Sequence, residues 1–127
     1  MILATTRGCC QRMLDFDYAS RRETPSVAAI INPTGADSFA KFFFGTHEIL
    51  IPIYKTIEKA AKMHPNADVM INFASYRSAA PSTEEALAIP QLRTIVIIAE
   101  GVSTEGLGLA VMNRLRKASG YNIVRVP

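Results

Sequence analysis

The chain has 127 residues, of which 49% are hydrophobic and 20% charged, and this profile predicts one soluble globular domain. A formal net charge of +3, spread along the chain, is too weak to predict binding to nucleic acid. No apolar run approaches the ~20 residues that span a bilayer, so we expect no membrane partner.

The first residues predict a short strand, at Ile2 to Thr5, and lack the charged and apolar regions of a signal peptide. Cys9 and Cys10 follow, and because they are adjacent they supply neither a loop-closing disulfide nor a spaced set of metal ligands. Buried small hydrophobes are the commoner role for such cysteines, with a reactive thiol as the alternative. These features together predict a cytoplasmic protein.

Further apolar runs predict four more strands, of which the run from Thr94 is continuous and β-branched, as in a parallel strand covered on both faces. The four runs are Val27–Pro33, Val69–Ala74, Thr94–Ala99 and Tyr121–Val126.

Helical patterns separate these runs. Pro52 suits a first helical turn, and Ile53, Ile57 and Ala60 share one face after it. Ser82 and Glu85 form a capping box that predicts the start of a short helix, which Pro90 ends. A last helix is predicted by residues spaced along one face, followed by a glycine: Leu107, Val111, Leu115 and Gly120.

Strands that alternate with helices predict an α/β fold of the Rossmann-like, doubly wound kind, with a mainly parallel sheet. No linker or repeat interrupts the pattern, so residues 1–127 are expected to form a single domain.

In such a fold, ligands bind at the carboxyl ends of the strands. Three strand ends carry suggestive residues: Pro33-Thr34-Gly35, the segment from Ser75 to Ser78, and Glu100-Gly101. Arg77 could bind a phosphate or carboxylate with its planar guanidinium group, next to the predicted helix start at Ser82. In the alternative reading, Ser75 and Ser78 satisfy loop backbone and Arg77 pairs with a surface acid.

Other candidates are weaker. His47 and His64 lack neighbouring ligands, so no metal site is predicted and both are expected at the surface or at helix ends. Gly106 lies in a helical pattern and does not fit a dinucleotide-binding motif. Phe42-Phe43-Phe44 predicts core, with stacking on an adenine as the alternative. Glu100 could be a functional carboxylate or a helix cap.

Four segments closely resemble the CoA-binding domain of ATP-citrate lyase, which is related to the α subunit of succinyl-CoA synthetase. They are "QRMLDFDY", "RETPSVAAIINP", "HEILIPIYKTIEKAAKMHPNADVMINFASYRSA" and "RTIVIIAEGV". The likeness runs from about Gln11 to Val102. It implies a single CoA-binding domain over residues 1–127, truncated at both ends relative to the full enzyme.

The resemblance also implies the site residues. By position, Pro33, Thr34 and Gly35 would line the CoA site together with the segment that contains Phe73, Ser75, Arg77 and Ser78. Glu100 would face the reaction centre as a catalytic residue. The loop from Thr6 to Gln11 departs from the sequence that the family has at its first phosphate-binding turn.

The family enzyme makes acetyl-CoA and oxaloacetate from citrate, CoA and ATP through citryl-CoA. The resemblance implies that ATP and magnesium would bind only to domains outside these residues, so the chain alone is not expected to be active. Citrate, the remaining domains and an oligomeric assembly are the implied partners. The alternatives are part of a citryl-CoA or succinyl-CoA synthetase-like subunit, or a non-catalytic module that responds to an acyl-CoA or nucleotide. A relic that depends on a partner is a further alternative.

Overall fold

The computed structural model describes residues 2–5, 9–73, 76–98 and 122–126, with only the backbone of 76, 77, 79, 80 and 122–126. Up to Ile98, strands and helices alternate along these residues, apart from three successive strands between Val27 and Tyr54. The elements are β1 (Ile2–Ala4), α1 (Cys10–Ala19), β2 (Val27–Ile31), β3 (Ser38–Phe44), β4 (His47–Tyr54), α2 (Ile57–Met63), β5 (Val69–Asn72), α3 (Tyr76–Leu87), β6 (Thr94–Ile98) and β7 (Asn122–Val126).

The described strands form one mainly parallel sheet in the order β3-β4-β2-β1-β5-β6-β7. Only the β3–β4 pair among them is antiparallel. From β1 the chain first moves to β2 and β4 on one side and then returns to β5 on the other side. This reversal is the topological switch point at which doubly wound sheets bind ligands.

Helices pack on both faces of the sheet. On one face, Cys10 and Leu14 of α1 pack against Ala4 of β1. On the other face, Ile57 of α2 and Leu3, the neighbour of Ala4, belong to a second core. This core also includes residues of α3. Neighbouring strand residues point to opposite faces, so two separate cores result. The predicted doubly wound α/β fold is therefore confirmed, as are all five predicted strands.

The β3–β4 hairpin was not predicted, and the prediction that Pro52 begins a helix was wrong. Pro52 lies in β4 opposite Phe39, and the pairing of β4 with β2 begins only at Ile53. The missing N–H of Pro52 is therefore tolerated. The helix begins at Ile57, where the side chain of Thr56 accepts a hydrogen bond from the backbone N–H of Lys59.

Helix α1 was also not predicted. Its side chains bind the β3–β4 hairpin. The side-chain amide of Gln11 donates to the backbone oxygen of Phe43 at 2.8 Å and accepts from the N–H of the same residue at 3.0 Å. The ring of Tyr18 meets Phe44 edge-on, with 5.6 Å between ring centroids. Gly45 turns the hairpin with a φ of 66° beneath that tyrosine. Helix α1 thus covers the outer strand of the sheet.

The phenylalanines of β3 have different environments. Phe42 is buried in the core under α1, Phe44 is half-buried, and Phe43 is 56% exposed. The prediction that this run is core is therefore confirmed for Phe42 and wrong for Phe43, because successive strand residues point to opposite faces.

Ser82 does not begin a helix, contrary to prediction. Helix α3 begins at Tyr76, and Ser82 lies in its interior directly after Pro81. The hydroxyl of Ser82 donates to the backbone oxygen of Ser78 at 2.6 Å and accepts from Asn72 Nδ2 at 2.9 Å. The capping-box pattern was misleading because the serine hydroxyl binds partners other than the helix's first backbone N–H groups.

The cysteines fit the commoner prediction in part. Cys10 is buried in the core under α1, whereas Cys9 is partly exposed. A hydrogen bond with Cys9 and burial both raise the pKa of the Cys10 thiol, which therefore stays protonated. The predicted helix over Leu107, Val111 and Leu115 lies outside the described residues. Across the described part of the chain, no helix is long and apolar enough to cross a membrane.

Candidate ligand site at the strand ends

A cleft of about 430 Å³ opens at the carboxyl ends of β1, β2 and β4 and beside α3. Its volume falls within the range of roughly 300–1,000 Å³ typical of ligand sites. The described residues that line it combine an apolar floor with hydroxyl and charged side chains. They are Thr5, Ile31, Pro33, Thr34, Lys55, Thr56, Ile57, Met70, Ser78, Ser82 and Glu85.

The turn after β2 forms one wall of the cleft and is shaped by Asn32. Its Oδ1 accepts hydrogen bonds from the backbone N–H of Thr34 at 3.2 Å and from the Thr34 hydroxyl at 2.8 Å. The N–H of Gly35 donates to the backbone oxygen of Asn32 at 3.4 Å, and a Cβ at this glycine would lie 3.1 Å from Asn32 Nδ2. The side chain of Asn32 therefore holds the predicted Pro33-Thr34-Gly35 segment in a tight turn.

The ends of β1 and β5 are fastened to each other by Thr5. The Thr5 hydroxyl accepts a hydrogen bond from the N–H of Phe73 at 2.6 Å, while its own N–H donates to the backbone oxygen of Ile71 at 3.1 Å. Phe73 is half-buried at the end of β5 and is not among the residues that line the cleft. Thr5 thus fixes the backbone just before the predicted segment that contains Ser75 and Arg77.

Helix α3 is held over the cleft by a buried amide. Asn72 is fully buried, and its Nδ2 donates to the hydroxyl of Ser82 at 2.9 Å and to that of Thr83 at 3.1 Å. These contacts join the last residue of β5 to the middle of α3. They hold Ser78, one turn earlier, at the cleft wall.

Two charged residues line the described part of the cleft, Lys55 after β4 and Glu85 on α3. Beside Lys55, the carboxylate of Asp37 binds the ammonium group of Lys59 and also accepts the backbone N–H of Lys55 at 2.9 Å. The hydrogen bond from Lys59 is the main cause that lowers the pKa of Asp37. Asp37 is thereby kept ionised while it fixes the loop that carries Lys55.

The cleft brings together three of the predicted site residues, Pro33, Thr34 and Ser78, with Gly35 in the same turn. The backbone of Arg77 lies in the first turn of α3, directly before Ser78, but its side chain lies outside the described residues. Ser75 and Glu100 also lie outside them. The roles assigned to all of these residues stay predictions.

Several lining residues were not singled out from the sequence, notably Lys55, Thr56 and Glu85. Lys55 and Thr56 follow β4, which the helical spacing after Pro52 concealed. The alternation of Ile49, Ile51 and Ile53 is the signal that could have revealed this strand. Glu85 was assigned to a capping box instead.

The histidines lie away from the cleft, at the positions expected of them. His47 is exposed at the start of β4, and His64 ends α2. The Tyr54 hydroxyl lies 3.0 Å from His64 Nε2, and partial burial lowers the pKa of His64. Among the described residues, no three His, Cys, Asp or Glu side chains are grouped so as to hold a metal ion.

Comparison with known proteins identifies the family. Residues 8–101 match the family described as CoA binding domain, which is most of the chain. The chain belongs to the CoA-binding domain family. It is 63% identical over 92 residues to ATP-citrate synthase beta chain protein 1 of Oryza sativa subsp. japonica, and 53% identical over 92 residues to ATP-citrate synthase of Homo sapiens.

A solved structure agrees with this assignment. The ATP citrate lyase of Methanothrix soehngenii, in complex with citrate and coenzyme A, superposes with a TM-score of 0.84 and 45% sequence identity over 91% of this chain. The CoA-binding domain is therefore homologous to part of ATP-citrate lyase.

The match covers 72% of this chain in both curated relatives, but only 15% of the rice protein and 8% of the human one. In the solved structure it covers 19% of that chain. The chain thus corresponds to a small part of these relatives.

Proposed function

We propose that the chain binds CoA in the strand-end cleft and is the CoA-binding portion of an ATP-citrate lyase. The observation that carries this proposal is the grouping of Thr34, Lys55 and Ser78 around one hollow at the switch point of a CoA-binding domain. Hydroxyl and ammonium groups donate to phosphate oxygens, and the apolar floor suits the adenine and pantetheine parts.

The predicted cofactor-binding residues divide into two groups. Pro33, Thr34 and Gly35 bind from the turn after β2, where small side chains let a ligand approach the backbone. Ser75, Arg77 and Ser78 bind from the segment after β5 and the start of α3, and Phe73, which does not line the described cleft, holds the end of β5 through its bond to Thr5. The guanidinium group of Arg77 is suited to a bidentate contact with phosphate or carboxylate.

The assigned mechanism is positioning. The complete enzyme makes acetyl-CoA and oxaloacetate from citrate, CoA and ATP through citryl-CoA, as the resemblance implies. This domain holds CoA so that its thiol meets the activated citryl group, which raises the effective concentration of the reactants. Glu100 contributes electrostatic placement of the substrate. ATP and magnesium bind to the remaining domains, with which the chain forms a cytoplasmic oligomer.

Calorimetric titration of the chain with CoA tests the binding proposal. We expect saturable binding by the parent and about tenfold weaker binding by Arg77→Ala, because a charge-assisted contact to phosphate is lost. Arg93→Ala is the matched control, since Arg93 is exposed just before β6, at the amino end of the strands. Equal affinity of Arg77→Ala and the parent would remove Arg77 from the site. Absence of CoA binding by the parent would refute the proposed function.

Complementation tests the enzyme assignment. The chain is added to an ATP-citrate lyase that lacks its CoA-binding domain, and citrate-dependent formation of acetyl-CoA is measured with ATP present. Restored turnover is expected, with loss of turnover in Glu100→Gln. If the chain binds CoA but restores no turnover, a non-catalytic acyl-CoA-binding module becomes the better assignment.

A further inference from the structure

The two charged side chains of the described cleft lining lie on different elements. Lys55 precedes α2 and Glu85 lies on α3, and both are exposed to solvent. A phosphate group is attracted by the ammonium group and repelled by the carboxylate. The described lining therefore carries opposite charges at these two positions, and a phosphate group is favoured beside Lys55.

The ammonium group of Lys55 is available to a ligand, although an acidic residue lies beside it. The carboxylate of Asp37 forms its ion pair with Lys59 and accepts the backbone N–H of Lys55 at 2.9 Å, while the charge of the Lys55 ammonium is only the smallest of the causes that lower the pKa of Asp37. Among the residues that the structure describes, no carboxylate forms an ion pair with the Lys55 ammonium. Asp37 thus anchors the backbone of Lys55, while Lys59 offsets the charge of Asp37.

The other described walls of the cleft carry either no charge or a negative charge. The turn of Pro33 and Thr34 lies next to Lys55 in the cleft lining and adds a hydroxyl group but no charge. Glu85 adds a carboxylate in the last turn of α3, away from Arg77 in the first turn, and a phosphate would be unfavourable beside that carboxylate. Phosphate groups are consequently favoured between Lys55 and the turn after β2.

We propose that Lys55 is a phosphate-binding residue of this cleft and that it directs the phosphate groups of CoA to the wall between β4 and the turn after β2. The inference rests on the proposed CoA binding and adds a residue to it. Lysine suits this role because its ammonium is a compact charge on a flexible stem and needs no fixed geometry. The uncharged parts of CoA then extend toward the Glu85 side.

The test compares Lys55→Met with Lys62→Met by calorimetric titration with CoA at low and high ionic strength. Both substitutions remove one exposed lysine charge near α2, but Lys62 does not line the cleft. We expect Lys55→Met to weaken CoA binding about tenfold at low salt. This difference should shrink at high salt because salt screens exposed charges. Lys62→Met should bind as the parent does, and Lys55→Arg should retain most of the affinity.

The outcomes separate the inference from the function on which it rests. Circular dichroism and thermal unfolding first show that each variant is folded. CoA binding by the parent with equal affinity in Lys55→Met would overturn the assignment of Lys55 and leave the proposed function intact. A loss in Lys55→Met that is the same at every salt concentration would also overturn it, because it would indicate packing of the aliphatic stem. No binding by the parent would refute both proposals.

Discussion

Side-chain hydrogen bonds to the backbone occur in both the β3–β4 hairpin and the strand-end cleft, but they have different consequences in the two regions. In the hairpin, the amide of Gln11 binds both backbone groups of Phe43, and the ring of Tyr18 covers Gly45. In the cleft, Asn32 and Asp37 also bind backbone N–H groups, of Thr34 and Lys55. There, however, side chains of the fixed segments line an open hollow.

Because of this difference, we expect substitutions in the two regions to affect different quantities, the free energy of unfolding at the hairpin and the affinity for CoA at the cleft. At the hairpin, the contacts of Gln11 and Tyr18 hold α1 against β3, and neither residue is among those that line the described cleft. Substitutions there should therefore change the free energy of unfolding and leave CoA affinity unaltered. At the cleft, the same kind of contact positions a binding wall. Substitutions there should change CoA affinity more than stability.

The largest effect is expected from Gly45→Ala. Gly45 has a φ of 66°, and a Cβ would lie 2.3 Å from a ring carbon of Tyr18. The strained backbone and the displaced ring together should lower the free energy of unfolding by about 2 kcal/mol or more. Thermal and urea unfolding measure the change.

Gly35→Ala is the matched control for that substitution. A Cβ at Gly35 would lie 3.1 Å from Asn32 Nδ2, and its φ is not in the left-handed region. We expect a smaller loss of stability and weaker CoA binding, whereas Gly45→Ala should bind CoA normally. Equal destabilisation by the two substitutions would contradict the proposed division between hairpin and cleft.

Gln11→Ala should lower the free energy of unfolding by about 1 kcal/mol, since it removes two hydrogen bonds to Phe43 in a partly exposed setting. Arg12→Ala, at the adjacent exposed position of α1, controls for changes in helix propensity. CoA affinity is measured for both variants. A clear loss of affinity in Gln11→Ala would show that the hairpin contributes to the cleft.

Asn32→Ala should have the reverse effect. Without the side-chain oxygen, the N–H and hydroxyl of Thr34 lose their common acceptor. Because the turn is exposed, we expect a loss of stability under ~1 kcal/mol but a CoA affinity about threefold to fivefold weaker. Calorimetry and urea unfolding of the same preparation give both quantities. Unchanged affinity would mean that the order of this turn does not matter for binding.

The smallest expected effect is the pH dependence that His64 gives to the free energy of unfolding. Burial lowers the pKa of His64 below its ordinary value of 6.5. The unfolded chain therefore binds more protons than the folded chain just below pH 6.5, so stability falls as the pH falls through 6.5 and levels off below the lowered pKa. His64→Gln should flatten this slope. Equal slopes in the parent and His64→Gln would contradict the prediction.

The sequence predicted the parallel strands and the doubly wound arrangement because buried β-branched runs leave a strong pattern. It did not predict the antiparallel hairpin, since Ile53, Ile57 and Ala60 also fit a helical spacing. At the cleft, Thr34 and Ser78 were anticipated as residues at strand ends, but the helix that carries Ser78 was predicted to begin only at Ser82. Lys55 was not anticipated, because its position depends on where β4 ends. The contact between Ser82 and Asn72 depends on tertiary packing, which local pattern cannot reveal.

The bond between Gln11 and Phe43 has a consequence for how this sheet meets other chains. β3 is the outer strand at one end of the described sheet, and outer strands are templates on which further strands can be added. The amide of Gln11 occupies both free backbone groups of Phe43, as a neighbouring strand would. An incoming peptide must displace this amide before it can add to the sheet at Phe43. Helix α1 thus hinders the addition of further strands at Phe43, and with it fibre-like polymerisation at that edge of the sheet.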